Sequence, residues 1–103
     1  MFEKGETNIL AELFVLTVAK NNSSHRGRLD IIAAILEASR RKVRKTHLMY
    51  RCNLSFKQVE AYLGFLLERK LLCQAEGDPS AFKITGKGER FLEAYKGLLR
   101  LIG

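Results

Sequence analysis

In the stretch RLDIIAAILEAS, residues 28–39, Ile32, Ile35 and Leu36 recur at helical spacing, and Ala33, Ala34 and Ala38 leave room for close neighbours. Asp30 falls in the first turn, where a carboxylate complements the helix dipole, so the pattern predicts a helix. Upstream, NILAELFVLTVAK, residues 8–20, is apolar on nearly every side, with Ile9, Leu10, Leu13, Phe14, Val15 and Leu16. That predicts a buried or partner-covered helix. NNSSHRG, residues 21–27, separates the two as a linker made of turn-forming residues.

Further along, Thr46 stands where it would cap a short helix, HLMYRC, and Asn53 tolerates the left-handed conformation that ends one. Ser55 and Gln58 have capping-box spacing, while Leu54 and Val59 occupy the two positions of a hydrophobic staple. A third helix therefore starts at Phe56. The two helices meet across the short turn NLS, which predicts a helix-turn-helix corner. On a wheel at 100° per residue, Val59, Leu63, Leu66, Leu67, Phe56 and Tyr62 fall within roughly 80° and form a core stripe. Lys57, Ala61, Gly64 and Glu68 point away from it, with Gln58 at the edge and Phe65 also outward.

The period then changes from helical to extended. LLCQA and AFKI read as short strands separated by EGDPS, whose Gly77, Asp78 and Pro79 form turns, so a two-stranded hairpin is predicted. TGKGERFLEAYKGLLRLI returns to the helical period, with Thr85 as the cap. Phe91, Tyr95, Leu98 and Ile102 follow four-three-four spacing with Leu92 and Leu99 beside them, a coiled-coil-like seam suited to a homodimer. The expected fold class is mainly α with a small β-hairpin. Its expected domains are 1–25, an apolar helix and linker; 26–86, a winged helix-turn-helix; and 87–103, a dimerisation helix.

Charge changes this picture by giving it a face. The 103 residues carry a formal net charge of +7, and the segment from Ala38 to Val59 holds Arg40, Arg41, Lys42, Arg44, Lys45, Arg51 and Lys57 with no acidic residue. Elsewhere basic and acidic residues balance. A cation or two would suffice to complement the dipole at the end of the preceding helix, and that effect fades within a turn. The excess predicts a focused positive patch for a polyanion, with nucleic acid the leading partner. Beside the patch, Lys57 suits guanine or phosphate, Gln58 suits an adenine edge, and the small Ala61 allows close approach to the groove or to a thymine methyl.

Other chemistry is poorly supported. Cys52 and Cys73 lack the spacing of a metal site and read as reduced cysteines in an intracellular protein; His25 and His47 have no ligand-like neighbours. GKG does not fit the Walker spacing. No carboxylate pair or Cys-His pair suggests catalysis, so neither enzyme activity, cofactor, metal nor small-molecule ligand is expected. The apolar segment 8–20 is too short to span a bilayer and contains Glu12, so no membrane association is expected and the location would be cytoplasmic, at the nucleoid.

Residues 26–96 resemble a family of archaeal winged-helix DNA-binding proteins that includes small dimeric chromatin proteins and transcription regulators. The resemblance rests on R-x-D-I-I opening the first helix of that region, K-T-x-x-M-Y in the second, N-L-S-x-K-Q leading into the third and I-T-x-K-G leading into the last. It implies double-stranded DNA binding, with Ser55, Lys57, Gln58 and Ala61 facing the major groove. Thr46, His47, Tyr50 and Arg51 would lie near phosphate, and Arg26 and Arg28 would add backbone contacts. It also implies dimerisation through the C-terminal helix, where Phe91, Tyr95, Leu98, Leu99 and Ile102 would meet a second copy. The wing departs from the pattern: Glu76 and Asp78 stand there and its tip has no cation. The alternative is a protein-interaction winged helix, docking through Phe65, the apolar first helix and the C-terminal seam.

Overall fold

A computed structural model describes residues 27–102; the expected helix over 8–20, most of the linker and Arg26 lie outside them. The chain divides into two compact units, residues 1–32 and 33–103. Among the described residues of the first, Gly27 donates its N–H to the Asp30 carboxylate at 3.1 Å, which satisfies a donor at the start of a helix. That helix, α1, runs Arg28–Ala38 and carries the apolar spacing into the second unit.

The remaining elements follow in order: β1 (Val43–Arg44), α2 (Lys45–Cys52), α3 (Phe56–Glu68), β2 (Leu72–Ala75), β3 (Asp78–Ile84) and α4 (Gly86–Ile102). The strands form an antiparallel sheet in the order β1-β3-β2. The core of this unit takes Ile35 and Leu36 from α1, Leu48 from α2, and Val59, Leu63 and Leu66 from α3. Leu71, Leu72, Phe82 and Ile84 come from the hairpin and its approach, and Leu92 from α4. Burial of such side chains stabilises by about 1.5–3 kcal/mol each.

Around the corner, the short-range signals translate directly into geometry. Asn53 adopts φ 55 and ψ 56, and its N–H donates to the Met49 carbonyl. Ser55 Oγ accepts from the Gln58 N–H at 3.1 Å and Gln58 Oε1 accepts from the Ser55 N–H at 2.9 Å, a complete capping box. Thr85 likewise caps α4, its Oγ1 accepting from Gly88 N–H at 3.0 Å while its hydroxyl donates to the Lys70 carbonyl at 2.7 Å.

Four expectations are corrected by the structure. First, the basic run contains a strand: Val43 pairs with Phe82 and Arg44 with Ala81, so the expected two-stranded hairpin is three-stranded. The expected hairpin is there as β2 and β3, and β1 is the added strand; two residues with one apolar position leave no period to detect. Second, Thr46 does not cap α2. Extended Arg44, at φ −104 and ψ 162, passes directly from strand into helix as the N-cap residue, without a side-chain cap bond, and Thr46 lies inside the first turn. Third, the EGDPS loop shrinks to Glu76–Gly77, with Gly77 at φ 80. Asp78 pairs with Ala75, and Pro79, which has no N–H to donate, falls in the irregular register that follows. Fourth, Phe56 opens α3 at the rim of its core stripe and stays 51% exposed, with the Lys45 ammonium 5.4 Å from its ring centroid. Leu67 and Tyr62 are half-buried, and Phe65 is half-buried with the Arg69 guanidinium 4.6 Å from its ring.

With α2 packed against α3, α3 against β2, and α4 against β3, the arrangement is a winged helix: a helix-turn-helix followed by a hairpin wing.

Candidate nucleic-acid interface

Seven cations crowd the segment between Ala38 and Val59, and their partners sort them into two groups. Arg40 turns back onto the protein: its guanidinium lies 3.4 Å from Glu37, 3.4 Å from Glu89 and 4.0 Å from Glu93, while Lys96 reaches the same Glu37 at 3.1 Å. This cluster fastens α4 to the end of α1. Arg44 donates to the Asp78 carboxylate at 2.7 Å, joining β1 to the wing. Lys45 pairs with Glu60 and so ties α2 to α3.

The second group consists of Arg41, Lys42, Arg51 and Lys57. All four are exposed, and among the described residues none forms an ion pair with a carboxylate. Three of the seven charges are therefore met inside the molecule, and four face water.

Asp78 illustrates the wing's electrostatics. Its carboxyl is held below the ordinary value of 3.8, first by the Ser80 hydroxyl donating at 2.7 Å. The Ser80 N–H and the charges of Arg44 and Lys42 act in the same direction and outweigh the opposing desolvation. One of the wing's two acidic groups thus stays ionised and is paired with Arg44 of β1.

An open depression of about 540 Å³ lies where β1 runs into α2, lined by Lys42, Val43, Arg44, Thr46, His47 and Tyr50. Of the residues expected near phosphate, the structure brings Thr46, His47 and Tyr50 to this one place, with Tyr50 82% exposed; Arg51 is exposed on the last turn of α2. Ser55, Lys57, Gln58 and Ala61 are all exposed at the start of α3. Arg28 is half-buried on α1.

At the far end of α4, Leu98, Leu99, Leu101 and Ile102 form an exposed apolar group, Leu101 at 82% and Ile102 at 81%. Phe91 and Tyr95 are half-buried and Leu92 is buried, so the expected seam divides between the chain's own core and a wet end. Leu101 falls outside the four-three-four spacing; its place three residues beyond Leu98 is the signal that could have found it. Phe56 escapes for the opposite reason, since the helical wheel assigns it to the core.

Among the described residues no group of three His, Cys, Asp or Glu is placed to hold a metal ion, and no helix is long and apolar enough to cross a membrane. Cys52 is buried and Cys73 exposed, with no disulfide between them.

Residues 25–103 match the family model of the winged helix-turn-helix. The chain is similar to an uncharacterised protein of Methanocaldococcus jannaschii, 36% identical over 81 residues, which are 78% of this chain and 37% of that protein. It therefore spans little more than a third of that relative's length. Among solved structures it is similar to Sso10a-2, a DNA-binding protein from Sulfolobus solfataricus (TM-score 0.66, 23% identity, 74% of this chain and 81% of that one). It is also similar to the transcriptional regulator BldR from Sulfolobus solfataricus (TM-score 0.61, 19% identity, 98% and 83%). At these identities the two structures speak for the fold, which agrees with the family match. This chain belongs to the winged helix-turn-helix family.

Proposed function

We propose that the protein binds double-stranded DNA as a homodimer and serves as a transcription regulator or a nucleoid-associated protein. The observation that carries the reading is the set of four exposed cations without carboxylate partners, grouped on and beside a helix-turn-helix. Arg41, Lys42 and Arg51 would neutralise phosphates, with Thr46, His47 and Tyr50 beside them, while Lys57 and the exposed start of α3 enter the major groove. The similarity to a DNA-binding protein and a transcriptional regulator supports this reading. Titration of a random-sequence duplex across 50–200 mM salt tests it: a steep loss of affinity is expected, and a flat response would remove the proposal.

Glu60 offers a finer check on the electrostatics. Glu60→Gln deletes a negative charge on α3 itself and releases Lys45. Affinity for duplex DNA at low salt is expected to rise several-fold, and the slope of log affinity against log salt to steepen by about 0.9 for each chain. A fall in affinity would mean that the pair's service in aligning α2 and α3 outweighs the freed charge.

The homodimer rests on the wet apolar end of α4. Leu101 and Ile102, left almost wholly in water, forgo roughly 1.5–3 kcal/mol each and the half-exposed Leu98 and Leu99 a smaller amount, which a two-fold pairing of the same face would recover. Leu98→Asp with Ile102→Asp is expected to leave the fold intact and reduce the species in solution to a single chain, as measured by sedimentation equilibrium. A wild-type protein that sediments as one chain would contradict the dimer. Whether the protein regulates specific genes or coats DNA is decided by selecting bound fragments from random sequence.

A further inference from the structure

The side chains at the start of α3 have an asymmetry that their residue types conceal. From Ser55 to Ala61 three of them carry hydrogen-bond acceptors, and each of the three is engaged within the protein. Gln58 Oε1 accepts the Ser55 N–H at 2.9 Å, Ser55 Oγ accepts the Gln58 N–H at 3.1 Å, and the Glu60 carboxylate holds Lys45. At the positions expected to face the groove, what remains outward is the Ser55 O–H, the Lys57 ammonium and the Gln58 NH2 group, all donors, together with the exposed Phe56 ring and the Ala61 methyl; the second Glu60 oxygen, on the side of α3 where Oε2 meets Lys45 of α2, is the acceptor left over.

In the major groove, guanine offers two acceptors and thymine offers an acceptor and a methyl group. Adenine offers one acceptor, N7, beside an amino donor, and cytosine an amino donor alone; the amino groups need an acceptor from the protein. The familiar glutamine–adenine pair uses the amide oxygen and the NH2 group together, and here the capping box turns the oxygen toward the Ser55 N–H. We infer that α3 reads the groove as a donor-and-apolar surface. It favours guanine and thymine on the strand it faces, and Gln58 is a positioning residue for the helix start rather than an adenine reader.

This inference rests on the proposed DNA binding, and its test separates the two. Bound duplexes are selected from a random pool with wild-type protein, Gln58→Ala and Gln58→Glu, and the melting temperature of each protein is measured. Wild type is expected to enrich guanine and thymine on one strand at the positions facing α3. Gln58→Ala, which loses half of the capping box, is expected to melt about 2–6 °C lower while selecting the same bases. Gln58→Glu keeps an oxygen for the Ser55 N–H but has no NH2 group. It is expected to melt near wild type, which covers the case of an alanine variant that fails to fold, to bind several-fold more weakly through its added charge, and to gain cytosine at the facing position, because its second oxygen puts an acceptor where the NH2 group stood.

Two results overturn the inference while leaving DNA binding in place. One is an adenine preference of about tenfold or more in wild type that disappears in both variants, the size of effect that a bidentate contact supplies. The other is a selected pool with no enrichment of guanine or thymine. Failure of the wild-type protein to bind any duplex would remove the DNA-binding reading and this inference together.

Discussion

Replacing Arg41, Lys42, Arg51 and Lys57 together by glutamine is expected to lower affinity for random-sequence duplex DNA by roughly 1,000-fold or more at 50 mM salt. Each phosphate neutralised by a cation releases counterions and contributes about 0.9 to the slope of log affinity against log salt. Four such contacts per chain give a dimer a slope of about −7, and the fourfold variant should approach zero. These four are singled out because, among the described residues, none forms an ion pair with a carboxylate.

Arg40 supplies the matching control. Its guanidinium already faces Glu37, Glu89 and Glu93, so Arg40→Gln is expected to leave the salt slope nearly unchanged and to lower stability by about 1 kcal/mol or less, as partly exposed ion pairs do. Fluorescence anisotropy at several salt concentrations, with thermal melts alongside, measures both effects. If the fourfold variant keeps the wild-type slope, the phosphate-binding surface lies elsewhere.

Gly88→Ala is expected to cost stability on the scale of truncating a buried core leucine. A Cβ placed at Gly88 would sit 2.3 Å from the Leu71 carbonyl oxygen and 2.7 Å from Ile84 Cγ1. The first of these is backbone, held in place because it accepts the Thr85 N–H at 3.1 Å. Relief requires α4 to move off the hairpin or the strand approach to shift, and either disturbs the Thr85 cap. Overpacking of this kind costs about 3 kcal/mol, which in a domain of this size lowers the melting temperature by roughly 10–20 °C. Gly97, in the same helix, is open: a methyl group there would meet nothing within 4 Å, so Gly97→Ala is expected to stabilise by about 0.5–1 kcal/mol. Calorimetry of the two variants checks the contrast, and a Gly88→Ala protein melting within about 3 °C of wild type would refute it. Close packing thus accounts for Gly88 at the start of α4, while Gly86 has room for a side chain.

The parts of the fold that are legible in the sequence are those written in neighbouring residues. Asn53, Ser55 with Gln58, and Thr85 each act over three or four positions, so a helix boundary shows in the local pattern alone. The α3 core stripe is legible through Val59, Leu63 and Leu66, all buried, because periodicity reports on a helix's middle. At its first residue periodicity misleads: Phe56 lies on the apolar side of the wheel, yet nothing requires the core to extend beneath it. Strand β1 is illegible because its identity depends on pairing with Phe82 and Ala81, far along the chain.

The candidate site is legible as a count of charges but not as a disposition of them. The sequence shows seven cations between Ala38 and Val59; only the fold reveals that Arg40, Arg44 and Lys45 are turned toward Glu89, Asp78 and Glu60. The same holds for Gln58, whose residue type suggests adenine and whose hydrogen bonds assign its oxygen to a helix cap.

Strand β1 also has a thermodynamic consequence. A basic tail that orders only on meeting DNA surrenders backbone freedom at that moment, about 1–2 kcal/mol for each residue fixed. Here Val43 and Arg44 are already hydrogen-bonded to β3, and the chain on either side is anchored by α1 and α2. The ordering of the cationic segment is accounted for when the protein folds, and its association with a polyanion begins from a surface whose shape is set in advance.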